Sequence, residues 1–127
     1  MSKITHKKWS KAVKVVYNGE KFDSKAELKY YLMLKELLED GRIRKIEKQV
    51  RFTLPDMKGG KRFSYTCDFV VTTLEGFKVY LEVKGRMMPG NALRYAYWQQ
   101  QYGETLTIIP TSGPFKFNLD WLTKPAD

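Results

Sequence analysis

The spacing of apolar residues changes several times along this chain, and each change marks an element. In "SKAELKYYLMLKELLEDG" (24–41) the period is helical. At about 100° per residue Ala26, Tyr30, Tyr31, Met33, Leu34, Leu37 and Leu38 share one broad arc, and Lys29, Lys35, Glu36, Glu39 and Asp40 fall opposite. Ser24 is placed to cap this helix and Gly41 to end it in the left-handed conformation. "IRKIEKQVRFTLP" (43–55) alternates with period two. It predicts a strand with Ile46, Val50, Phe52 and Leu54 on one face and Glu47, Gln49, Arg51 and Thr53 on the other. "YTCDFVVTTLEGFKVYLEVKG" (65–85) predicts two further strands joined by a three-residue loop, Leu74-Glu75-Gly76, with glycine where positive φ is needed. "NALRYAYWQQQYG" (91–103) predicts a second helix capped by Asn91, and "ETLTIIP" (104–110) a last strand ended by proline. Ahead of them all, "VKVVYNGEKF" (13–22) sets Asn18-Gly19 between two short alternating runs, a hairpin signal.

The segments 56–62 and 85–91 read as polar loops, and "NLDWL" (118–122) as a helical turn that packs Trp121. No repeat or low-complexity tract interrupts the pattern. The core order is helix, three strands, helix, strand, which implies an α+β or α/β fold with a mixed sheet.

Composition narrows the class. With 127 residues the chain is expected to form one domain, residues 13–127, behind a flexible basic arm, residues 1–12, that carries Lys3, Lys7, Lys8 and Lys11. No run of 18 apolar residues occurs, so no membrane span is expected. The basic N-terminus has no apolar segment behind it and does not read as a secretory signal. A single cysteine, Cys67, and a single histidine, His6, exclude a disulfide framework and any Cys/His zinc cluster, and the expected compartment is the cytoplasm. The formal net charge of +9 points to a polyanionic partner, most often nucleic acid.

Against that background the acids of the second and third strands stand out. Counting inward from the loop pairs Thr73 with Phe77 and sets Asp68 opposite Glu82, on a face that Glu82 shares with Lys84. Two bare carboxylates roughly 5 Å apart repel by about 3 kcal/mol at an effective dielectric near 20, so a proton, Lys84 or a divalent cation must offset them. Oxygen ligands without soft donors suit Mg²⁺. A salt-bridged cross-strand trio is the competing reading, although paired charges in an apolar setting rarely improve stability. Glu27 falls inside the apolar arc of the first helix. It completes a capping box with Ser24 or adds a third acid facing the sheet, and the two roles are compatible.

Taken together, "FDSKAELKYYLMLKEL…IRKIEKQVRFTL…YTCDFVV…VYLEVKG" resembles the PD-(D/E)XK, or restriction-endonuclease-like, nucleases. More closely, it resembles small phage-encoded Holliday-junction resolvase and endonuclease proteins, a group that includes a phage family long labelled only as of unknown function. The resemblance runs from about Val13 to Ile109. The D…ExK element is short. Its specificity comes from its company, the F-D-S-K-x-E helix start, the I-E-x-Q strand and the E-V-K-G ending. Cys67 stands where the motif's name has proline, a departure that many members share.

The resemblance implies an α/β, restriction-endonuclease-like mixed sheet with an αβββαβ core, and a metal-dependent endonuclease for branched DNA. It implies that Asp68, Glu82 and the Val83 backbone carbonyl hold Mg²⁺, with Mn²⁺ able to substitute. Lys84 would orient or activate the attacking water, and Glu27 matches an acid that some members supply from the first helix. Gln49 matches a recurrent strand glutamine whose role the residues do not give. A homodimer is implied because resolving a junction takes two paired cuts. The setting would be the host-cell cytoplasm if the chain is phage-encoded. Lys7, Lys8, Lys11, Lys14, Lys58, Lys61, Arg62 and Arg86 are candidate phosphate contacts. The alternatives are a nuclease for nicked, single-stranded or linear DNA, and a non-catalytic basic nucleic-acid-binding module. Cys67 reads as a packed residue because no histidine accompanies it. Tyr95, Tyr97 and Trp98 read as core or dimer contacts.

Overall fold

Asn18 and Gly19 both have positive φ, 51° and 81°, the backbone that a tight two-residue hairpin requires. They join β1 (Val15–Tyr17) to β2 (Glu20–Phe22) in a small antiparallel pair. The structure, a computed structural model, describes residues 14–54, 63–85, 89–111 and 122. The basic arm, the 56–62 loop and the expected packing of Trp121 lie outside the described residues.

The first helix, α1 (Lys25–Glu39), begins where Ser24 Oγ accepts the Glu27 N–H at 3.1 Å. It stops at Gly41, whose φ of 72° lets the Arg42 N–H turn back to the Leu37 carbonyl at 2.9 Å. Tyr30, Leu34 and Leu37 are buried, with Tyr31, Met33 and Leu38 packed beside them, so the apolar arc meets the core.

Four strands follow: β3 (Ile43–Leu54), β4 (Phe63–Thr73), β5 (Lys78–Lys84) and β6 (Leu106–Pro110), with α2 (Pro89–Tyr102) between the last two. They form one mixed sheet in the order β3-β4-β5-β6, antiparallel except for the β5–β6 pair. The fold is therefore mixed α/β. The β4–β5 turn is the expected one: the Thr73 N–H reaches the Phe77 carbonyl at 2.8 Å, and Gly76 has a φ of 96°. The second helix starts two residues before the expected cap. Proline suits a first helical turn because its missing N–H would have had no partner within the helix, so Asn91 lies inside that turn. Among the described residues no helix is long and apolar enough to cross a membrane.

Two apolar clusters occupy the two sides of the sheet. One joins Tyr30, Leu34 and Leu37 of α1 to Phe69, Val71, Leu81 and Ile109. The other joins Tyr95 and Trp98 of α2 to Leu54, Tyr65, Cys67, Val70 and Leu106. Membership alternates along β5 and β6, as a pleated strand requires.

Along β3 it does not, and here the expected pattern fails. Ile46 packs on the α1 side, whereas Val50, Phe52 and Leu54 pack on the α2 side. Lys48 stays on the α1 side, with its Nζ 4.2 Å from the Phe22 ring centroid. The strand changes faces at Gln49, whose φ is 51°, a left-handed conformation rare for a non-glycine residue. On the partner strand the switch falls at Asp68, between Cys67 on one side and Phe69 on the other. Pairing continues across the break, from Lys48↔Phe69 to Val50↔Cys67.

The left-handed backbone makes a prediction. Gln49→Gly should be more stable than Gln49→Val by at least about 1 kcal/mol, because a β-branched side chain is strained at positive φ. Urea denaturation of the two variants checks this, and equal midpoints would contradict it.

Candidate active site

The β4–β5 ladder runs from Thr72↔Lys78 to Phe69↔Leu81, the register that counting from the loop predicts, and ends one position short of Asp68 and Glu82. There the carboxylates take over from the backbone. Asp68 Oδ2 accepts the Val83 N–H at 2.8 Å. The acids do not stand side by side on one flat face, as simple pairing had suggested. Glu82 turns toward the α2 side, where its two oxygens accept from Tyr65 Oη at 2.5 Å and Tyr95 Oη at 3.1 Å. Asp68 sits at the face change and accepts from Gln49 Nε2 at 3.2 Å.

The same amide nitrogen donates to Glu27 Oε2 at 2.6 Å, so Gln49 bridges the helix acid and the strand acid. This supplies the role that the sequence left open. The twisted backbone at Gln49 coincides with the point where β3 must deliver an amide between two carboxylates. Glu27 is 3 % exposed, and its other oxygen accepts the Asp23 N–H at 3.1 Å. The capping box is thus modified: the glutamate reaches past the cap residue to the N–H before it. Capping and facing the sheet are both realised.

Glu27, Gln49, Asp68, Glu82 and Lys84 line one cavity of about 580 Å³, with Val83 beside them. Gly85 closes one wall, where a Cβ would stand 2.5 Å from Thr111 Oγ1. Among the described residues, ion pairs within 4.0 Å join Lys48 to Glu20 and Lys45 to Glu47, and Lys84 takes part in neither. The salt-bridged trio is therefore not formed.

Burial pushes the Glu27 carboxyl up to about 7, and the charge of Asp68 adds to the shift. Burial likewise raises Asp68 to about 7, with Glu82 adding to it. Glu82 is raised by burial too, although the Tyr65 and Tyr95 hydroxyls, Lys84 and the Asp68 N–H all favour its charged form. No three described His, Cys, Asp or Glu side chains already form a metal cage. Mg²⁺, however, usually takes only one or two carboxylates and keeps several waters. The donors that converge here are oxygens, which fit a hard cation.

The remaining candidates divide. Lys14 is exposed at the start of the described chain. Lys7, Lys8, Lys11, Lys58, Lys61, Arg62 and Arg86 lie outside the described residues. Cys67 is fully buried, its Sγ is 3.4 Å from the Phe69 carbonyl, and burial pushes its thiol up to about 12. It is packed, not nucleophilic. Trp98 and Tyr95 are core residues, but Tyr95 also serves Glu82, which reading the helix by its apolar face had missed. Tyr65 was missed likewise. The available signal was chemical: a buried tyrosine hydroxyl needs a partner.

A mixed α/β domain with four acids and a lysine on one cavity is the class that fold and site define. The chain belongs to the family described as "Protein of unknown function (DUF1064)", which it matches over residues 6–116. No curated protein and no solved structure matches it.

Two predictions follow from the electrostatics. Glu27 and Asp68 titrate near 7 when folded, against ordinary values of 4.5 and 3.8, so between about pH 4 and pH 7 the folded protein holds more protons than the unfolded chain. Their contribution to stability is present at the acid end of that window and is lost as pH rises through it. The metal-free melting temperature should carry this decline, and Asp68→Asn should flatten it. Parallel melts across the window check this. Separately, Tyr65→Phe leaves Glu82 short of a donor and should cost about 1–3 kcal/mol in denaturant titrations at pH 8.

Proposed function

We propose that this protein is a metal-dependent endonuclease that hydrolyses phosphodiester bonds in DNA, with branched DNA as the preferred substrate. The observation that carries the proposal is the convergence of Glu27, Asp68 and Glu82 on one cavity, with no ion pair to Lys84 among the described residues. Buried acids without a countercharge are costly to stability, and such arrangements mark sites kept for function. The helix–three strands–helix–strand order and the position of the D…ExK residues agree with the restriction-endonuclease-like resemblance. The excess of basic residues suits a polyanionic substrate.

On this reading Asp68, Glu82 and the Val83 carbonyl would hold Mg²⁺ or Mn²⁺, with Glu27 nearby. A bound divalent cation polarises a phosphoryl oxygen and lowers the pKa of water. The chain's own residues do the rest. Gln49 holds Glu27 and Asp68 in place, while Tyr65 and Tyr95 fix Glu82. Lys84, half-buried on the cavity wall, orients the attacking water and offsets charge that builds on the phosphorane. The water oxygen bonds to phosphorus, one P–O ester bond breaks, and the leaving oxygen ends protonated. A two-fold homodimer would supply the paired cuts that a junction needs.

The test is cleavage of plasmid, linear duplex and four-way-junction DNA with Mg²⁺ or with EDTA. Cutting only with metal, and best on the junction, is expected. Equal cutting of all three favours a general nuclease, and none favours a non-catalytic binding module. Lys84→Ala should retain metal and DNA binding while losing about 10²-fold or more in rate. If that variant cleaves like wild type, Lys84 has no part in the chemistry.

A further inference from the structure

A second cavity, of about 330 Å³, opens on the α2 side of the same strand end. It shares Thr66, Glu82 and Lys84 with the acidic cavity, so the two adjoin along the end of β5. Their charges differ in sign. The first is lined by four carboxylates, Asp23, Glu27, Asp68 and Glu82, against the single cation Lys84. The second sets Lys84 and Arg94 against Glu82 alone. That one carboxylate already has both oxygens engaged by the Tyr65 and Tyr95 hydroxyls. The other polar groups on the wall are the Ser64 and Thr66 hydroxyls and the Asn91 amide, all able to donate. Arg94 is exposed on α2 and belongs to no ion pair among the described residues.

Guanidinium, ammonium, hydroxyl and amide donors around a polar hollow are the chemistry that recognises a phosphate. We propose that this second cavity is a phosphate subsite. It takes the backbone phosphate of a nucleotide neighbouring the one whose ester lies over the carboxylates, with Arg94 as its main charge. The proposal rests on the nucleic-acid reading above and deepens it. Lys84, on both cavities, lies between the two bound phosphates, so a strand laid across the end of β5 has its register set by Arg94.

The experiment is fluorescence-anisotropy titration of a labelled four-way-junction DNA in EDTA, where no cleavage occurs, over a range of salt. It compares wild type with Arg94→Gln and with Lys78→Gln. Lys78 is an exposed lysine at the other end of β5, about 20 Å from Lys84 at the usual strand rise, so it removes the same charge away from the cavity. Arg94→Gln should weaken binding about tenfold or more. It should also lower the slope of log K against log salt by about 0.7–0.9, the share of one phosphate contact. Lys78→Gln should do much less, and Mn²⁺ affinity measured by calorimetry should be the same in Arg94→Gln as in wild type. Wild type that binds DNA while Arg94→Gln binds it equally well, or no worse than Lys78→Gln, overturns the subsite alone. Wild type that binds no DNA overturns both the subsite and the reading it rests on. Arg94-dependent binding by a protein that never cleaves with Mg²⁺ keeps the subsite and removes the nuclease.

Discussion

The carboxylates of Glu27, Asp68 and Glu82 line one cavity with no lysine or arginine paired to them among the described residues, and this is the constraint around which the rest is arranged. Burial is the main reason Glu27 and Asp68 are both pushed up to about 7, and the neighbouring charges of Asp68 and Glu82 add to it. The fold meets that cost with neutral donors. Gln49 spans Glu27 and Asp68, two tyrosine hydroxyls hold Glu82, and two backbone N–H groups, of Asp23 and Val83, complete the shell. Neutral donors hold a carboxylate in position without neutralising it. The charge is left available to a cation from outside.

That arrangement explains two irregularities of the sheet. The β4–β5 ladder ends at Phe69↔Leu81, and beyond it the Val83 N–H goes to the Asp68 carboxylate instead of a strand carbonyl. The face change at Gln49 and Asp68 lets one long β3–β4 pair serve both helices, Ile46 and Val71 under α1, Val50 and Cys67 under α2. At the crossover point neither residue belongs to either apolar layer, so both are free to be polar. Strain and polarity fall on the same pair, as expected where function and fold compete for a position.

Much of this was legible from residue order. The Asn18-Gly19 hairpin, the arc and both ends of α1, the Gly76 turn and the β4–β5 register follow from local rules of turn chemistry and periodicity. Glu27 was legible as an intruder in an apolar arc. The start of α2 was not, because Pro89 reads equally as a loop residue or as a first helical turn. The face change at Gln49 was hidden because unbroken alternation of apolar residues implies a single face. Only a left-handed residue overturns it, and a glutamine gives no sign of one. Tyr65 and Tyr95 looked like ordinary core aromatics, since their hydroxyl partner lies on a strand distant in sequence. Donors to a site are set by tertiary contact, whereas the acids betray themselves by being acids in an apolar run.

The proposal on which the rest turns is that these carboxylates, in no ion pair with Lys84, bind a divalent cation. It is tested most directly by calorimetric titration of Mn²⁺ into the metal-free protein at pH 8, above the range in which Glu27 and Asp68 retain their protons. Saturable binding is expected for wild type, lost in Asp68→Asn and in Glu82→Gln while both variants stay folded. No binding by wild type, or binding that survives both substitutions, would contradict it.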